Sequence, residues 1–159
     1  MKVYIDGDGC PKAIKEILFR AADRRGIDVV LVANRVVAIP RHPRISAVRV
    51  GAGLDVADDW LVVHAEAGDL VITSDLPLAA QLVAKGITAI SARGETWDAS
   101  NVRERLSMRD FFMEARESGL IQGGGPPPFD EKAGRMFANA FDRWLARSNP
   151  ATPRAAGGR

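Results

Sequence analysis

The sequence is poor in the residues that usually announce a mechanism. A single cysteine, Cys10, excludes an internal disulfide and a cysteine-rich zinc site. The only histidines are His42 and His64. No apolar run approaches the roughly 18 residues that a membrane span requires. The N-terminus opens directly on the strand-like KVYID, with no signal-peptide pattern. A soluble cytoplasmic domain with no membrane partner is the expectation. Acid is missing altogether between residues 29 and 54, where Arg35, Arg41, Arg44 and Arg49 stand beside His42. A phosphate backbone would favour such a strip, although a solvated basic loop has the same composition.

What is present fits one domain. A chain of 159 residues, 47% apolar and 26% charged, can bury a real core. The formal net charge of +2 is too small to argue for nucleic acid by itself. The stretch 68–78, GDLVITSDLPL, organises the rest. Leu70 to Thr73 is apolar without alternation, as in a strand buried on both faces. Asp75 follows at once, and Pro77 suits the first turn of a helix. A carboxylate therefore stands at the carboxyl end of a parallel strand, where open α/β sheets bind ligands.

The remaining chain repeats this alternation. Val3-Tyr4-Ile5 leads into Asp6-Gly7-Asp8-Gly9, and Pro11 opens a helix with Ile14, Ile17, Leu18, Ala21 and Ala22 at helical spacing, closed by Gly26. Residues 27–33 read as a strand, 34–44 as a loop broken by Pro40 and Pro43, and 45–50 as a third strand. Residues 55–66 read as a helix, 76–85 as another, and 87–90 as a fifth strand. The fold class is therefore α/β with a mostly parallel central sheet.

Past Arg93 the chain becomes helical and charged. Residues 101–118 read as a helix carrying Arg103, Arg105, Arg109 and Arg116. GGGPPP at 123–128 reads as a loop, and Asp130 as the N-cap of a last helix. The stripe Phe137, Phe141, Trp144 and Leu145 on that helix must be buried, on the domain or against a second copy, which leaves a homodimer open. Residues 1–148 are expected to form one domain, with core 1–92 and a helical extension 93–148, and 149–159 to be a disordered tail.

The acids carry the chemical signal. Asp6 and Asp8 follow strand one, Asp75 follows strand four, and Asp55, Asp58 and Asp59 cluster at the head of the intervening helix. Asp55 and Asp58 are three apart and would share a helical face. Converging carboxylates raise one another's pKa unless a cation joins them, and hard oxygen ligands suit Mg²⁺ or Mn²⁺. Such an ion activates water and stabilises the leaving oxygen of a phosphodiester. The bland alternative is that Asp55 and Asp58 only complement the helix macrodipole. Cys10 before Pro11 lies where a thiolate is favoured, but a small half-buried cysteine is the commoner case.

VYIDGDGCP, VADDW with AGDLVITSDLPLA, and RGE with VRERLSMRDFF and GGGPPPF together resemble the YaiI/YqxD family of uncharacterised bacterial proteins, in order over nearly the whole chain. That family is similar to PIN-like nuclease domains, three-layer folds whose carboxylate cluster binds Mg²⁺ or Mn²⁺. The resemblance implies Asp6, Asp58 and Asp75 as catalytic metal ligands, with Asp8 and Asp55 as auxiliary ones. The glutamate that PIN domains usually place on a middle helix has no assigned counterpart. RNA, or else DNA, is the expected partner, with Arg35, Arg41, Arg44, Arg103 and Arg109 as candidate backbone contacts. Two alternatives stand beside a nuclease. One is a non-catalytic RNA-binding or scaffolding module. The other is a haloacid dehalogenase-type phosphatase, since Asp6-Gly7-Asp8-Gly9 resembles that family's nucleophile motif, with Cys10 in place of its threonine.

Overall fold

In the computed structural model, which describes residues 1–53, 55–119 and 128–148, eleven elements are assigned. They run β1 (Lys2–Asp6), α1 (Lys12–Arg25), β2 (Asp28–Ala33), β3 (Ile45–Arg49), α2 (Val56–His64), β4 (Leu70–Ile72), α3 (Leu76–Ala84), β5 (Thr88–Ile90), β6 (Thr96–Trp97), α4 (Ala99–Glu117) and α5 (Glu131–Ser148). One six-stranded sheet has the order β3-β2-β1-β4-β5-β6, parallel throughout except that β6 runs antiparallel to β5. The chain winds outward from β1 to β3, then restarts at β4 on the other side of β1. The carboxyl ends of β1 and β4 therefore flank the topological switch point, where open sheets form a crevice.

Strand alternation sorts the core into two layers. Val3, Ile5, Val29, Leu31, Leu70, Ile72 and Ile90 face α1 and α5, while Tyr4, Val32, Val71, Ala89 and Trp97 face the α2, α3 and α4 side. Every residue of β4 is buried, as its unbroken apolar run requires. The stripe Phe137, Phe141, Trp144 and Leu145 of α5 lies in the same cluster as Ile14 and Leu18 of α1, so the chain's own body covers it. That stripe is not open to a second copy. Each such side chain contributes about 1.5–3 kcal/mol by burial. The fit is close: a Cβ on Gly94, in the β5–β6 connection, would lie 2.5 Å from the Met136 carbonyl.

Three local expectations change. β6 pairs only two residues, Ala89 with Trp97 and Ile90 with Thr96, too few to leave a pattern. α4 begins at Ala99 because Asp98 and Asn101 cap each other, side chain to backbone, at 2.7 Å both ways. α2 begins at Val56, leaving Asp55 outside it in left-handed backbone with φ 64°. Asp55 and Asp58 thus approach through a turn rather than along a helical face. Asp130 does cap α5, accepting from the Ala133 N–H at 2.9 Å. Residues 123–127 of the GGGPPP loop and the tail 149–159 lie outside the described residues.

Candidate functional site

At the switch point the sheet delivers acids from three separate elements into one cleft of about 340 Å³, lined by Asp6, Asp8, Asn34, Asp55, Asp58, Ser74 and Asp75, with Gly9, Gly53 and Ala57 between them. Asp6 ends β1. Gly7 behind it cannot be larger, since a Cβ there would lie 2.8 Å from both the Leu31 Cδ2 and the Val32 carbonyl oxygen. This close approach fixes the turn that presents Asp8. Asp75 caps α3, its Oδ1 accepting from the Leu78 N–H at 2.9 Å. Asp58 lies in the first turn of α2.

Thr73 joins two of these acids. Its hydroxyl donates to Asp6 Oδ2 at 2.9 Å and accepts from the Asp75 N–H at 3.0 Å. The side chain is buried, so the link holds β1 and the head of α3 in register. Neither Thr73 nor Asn34 stood out as a site residue in the sequence. For Thr73 the signal was its place two residues before Asp75, whereas Asn34 offered only its place just after β2.

The carboxylates sense one another. Burial is the main cause of a raised Asp58 pKa, pushed up to about 6, and Asp75, Asp6, Asp55 and Asp59 add to it in that order. Asp6 is also raised, first by burial, then by Asp8 and Asp75, against the hydrogen bond from Thr73. Asp55 lines the cleft from a backbone conformation that few non-glycine residues adopt, one that aspartate tolerates better than most. Oxygen donors gathered in this way suit a hard cation that keeps several waters. Among the described residues, no three His, Cys, Asp or Glu side chains close to the spacing of a formed metal centre.

The arginines divide between the two edges of the sheet. Arg35, just past β2, reaches the Asp8 carboxylate at 3.9 Å and belongs to the cleft. Arg109 of α4 lines an adjoining hollow of about 200 Å³ with Ser74, Asp75, Leu76 and Pro77. Arg44 instead pairs with Asp28 at 3.1 Å, at the start of β2, and His42 pairs with Asp23 near the end of α1. Both lie at the amino edge, away from the carboxylates, and exposed Arg41 is on the same stretch of connection. Arg103 is exposed on α4 and lines neither hollow. Arg105, by contrast, is held against Glu95 and over the Trp97 ring, 5.4 Å from its centre.

A cysteine nucleophile loses its footing. Cys10 is half-buried against the α1 core and burial pushes its thiol up to about 12, so the helix start does not yield a thiolate. His64 stacks on Trp60 at 3.9 Å between ring centres, and His42 is engaged at the far edge.

A sequence model of the uncharacterised YaiI/YqxD family matches residues 4–147. The UPF0178 protein of Shewanella sp. (strain MR-4) is 50% identical over 146 residues, covering 92% of this chain and 97% of that protein. The UPF0178 protein of Cellvibrio japonicus (strain Ueda107) is 49% identical over 147 residues, covering 92% and 97%. No solved structure matches the chain.

Proposed function

The chain belongs to the YaiI/YqxD family, and from that footing we propose that it is a divalent-metal-dependent phosphodiesterase acting on RNA, with DNA as the second choice. The observation that carries this is the convergence of Asp6, Asp58 and Asp75 from three elements on one cleft at the switch point. The resemblance to PIN-like nuclease domains drawn from the sequence supports the same reading. Asp6, Asp58 and Asp75 would hold Mg²⁺ or Mn²⁺, with Asp8 and Asp55 assisting. Such an ion supplies charge neutralisation at phosphorus and lowers the pKa of a bound water.

The chain's own groups supply the rest. Thr73 fixes Asp6 and the Asp75 backbone in one arrangement before substrate arrives. Asp58 must be ionised to serve as a ligand, which its raised pKa delays until near pH 6. Arg35 and Arg109, on opposite flanks, position a phosphate backbone without reading bases.

The test is incubation of the protein with 5′-fluorescein single-stranded RNA and Mn²⁺ or Mg²⁺. Shortened product that disappears in Asp75→Asn supports the proposal, and intact RNA with either metal contradicts it. A non-catalytic RNA-binding module is the second reading, favoured by the open spacing of the acids among the described residues. It predicts RNA binding with no product.

A further inference from the structure

Helix α4 is odd for its length: only Val102 and Ala115 are buried over its 19 residues. Its long exposed surface is not uniform. Arg105, Arg109, Phe112 and Arg116 stand at i, i+4, i+7 and i+11, so they fall within about 60° of one another around the helix. The acids of α4, Glu104, Asp110, Glu114 and Glu117, all point to other sides by the same spacing. Phe112 is 41% exposed. The stripe is about 16 Å long at the helical rise per residue.

We infer that this stripe is a track for a single strand of nucleic acid passing out of the carboxylate cleft. The inference rests on the nucleic-acid substrate proposed above. Continuity with the cleft is the first support. Arg109 shares its hollow with Ser74 and Asp75, which line the cleft, and Arg105 lines a second hollow of about 200 Å³ with Ser74, Arg93, Glu95 and Trp97. Charge complementarity is the second: Arg109 and Arg116 have no α4 acid on their face and match phosphates, while Arg105 is paired with Glu95. Phe112, set between Arg109 and Arg116, adds a flat apolar surface on which an unstacked base can lie, which a duplex does not offer. Arg105, paired with Glu95 and lying over the Trp97 ring, marks the cleft end of the stripe and is not counted as a phosphate contact.

The experiment is fluorescence anisotropy with a fluorescein-labelled 12-nucleotide single-stranded RNA and the full chain, with calcium replacing manganese. Phe112→Ala should weaken binding about tenfold. Arg116→Ala should flatten the salt dependence by about 0.7 in log–log slope. Val63→Ala, an apolar residue 70% exposed on α2 and away from the stripe, should leave binding unchanged. Wild-type affinity and salt slope in both Phe112→Ala and Arg116→Ala, or no RNA binding by the wild type, overturns the track. Hydrolysis of bis(p-nitrophenyl) phosphate by the wild type with Mn²⁺ is read separately, because that diester is too short to engage α4. RNA binding that depends on Phe112 without hydrolysis removes the enzyme and keeps the track. Hydrolysis with binding indifferent to Phe112 and Arg116 removes the track and keeps the enzyme.

Discussion

Strand β4 carries an aspartate near each end, and the two do opposite work. Asp69, just before the strand, is buried and has both carboxylate oxygens occupied, Oδ1 by the Lys2 N–H and Oδ2 by the Glu66 N–H, each at 2.9 Å. It ties β1 to the turn before β4 and has little left to offer a ligand. Asp75, three residues past the strand, is exposed and spends one recorded bond on capping α3, while its charge bears on Asp58 across the cleft. A carboxylate saturated by backbone donors is structure. Across the cleft, burial and neighbouring carboxylates raise the pKa values of Asp6 and Asp58, an electrostatic cost that only a cation or a proton removes.

The largest effect that would break this contrast lies at the carboxyl edge. Asp75→Asn should lower Mn²⁺-dependent RNA cleavage more than about 100-fold, beyond the usual cost of an outer-sphere partner. Melting should move little, because asparagine still caps a helix. Asp69→Asn should do the reverse. Losing charge-assisted bonds to two backbone donors costs about 2 kcal/mol, or roughly 4–8 °C in melting temperature for a domain this size, with cleavage at 25 °C unchanged.

Asp58 sharpens the comparison through pH. Its folded pKa of about 6 lies above the value of about 3.9 expected when unfolded. The metal-free fold therefore favours the protonated form. That stabilisation is complete below the unfolded value and is lost as pH rises through about 6. Melting in EDTA should fall across that window, and Asp58→Asn should reduce the fall, leaving the part due to Asp6 and raising stability at pH 7 by no more than about 1 kcal/mol after solvent screening. With Mn²⁺ present the slope should reverse, because metal binding requires the ionised form. The smallest effect belongs to Arg35. Its exposed 3.9 Å pair with Asp8 is worth less than about 1 kcal/mol, so Arg35→Ala should leave melting unchanged and weaken RNA binding only about twofold to threefold.

Much of this site was legible before any coordinates. An acid directly after a buried apolar run marks the end of a parallel strand, and that pattern alone places Asp6 and Asp75 at the carboxyl edge. Asp58 came from its helix start together with the family resemblance. The strands themselves were readable because burial on both faces leaves unbroken apolar runs. What could not be read has particular causes. The basic run from Arg35 to Arg49 looks continuous, but its connection returns from one sheet edge to the other, so Arg35 meets the cleft and Arg44 does not. Sequence distance carries no record of that crossing. The left-handed turn at Asp55 leaves no glycine to announce it, and β6 is held by its partner rather than by its own two residues. The capacity of Thr73 to hold two acids at once appears only when β1 and β4 lie side by side.

Calorimetric titration with Mn²⁺ at pH 7.5, on the wild type, Asp6→Asn and Asp69→Asn, tests the carboxylate cleft most directly. The wild type and Asp69→Asn should give the same saturable heat, and Asp6→Asn should give almost none. No saturable heat from the wild type up to millimolar metal, or equal heat from Asp6→Asn, would contradict the account.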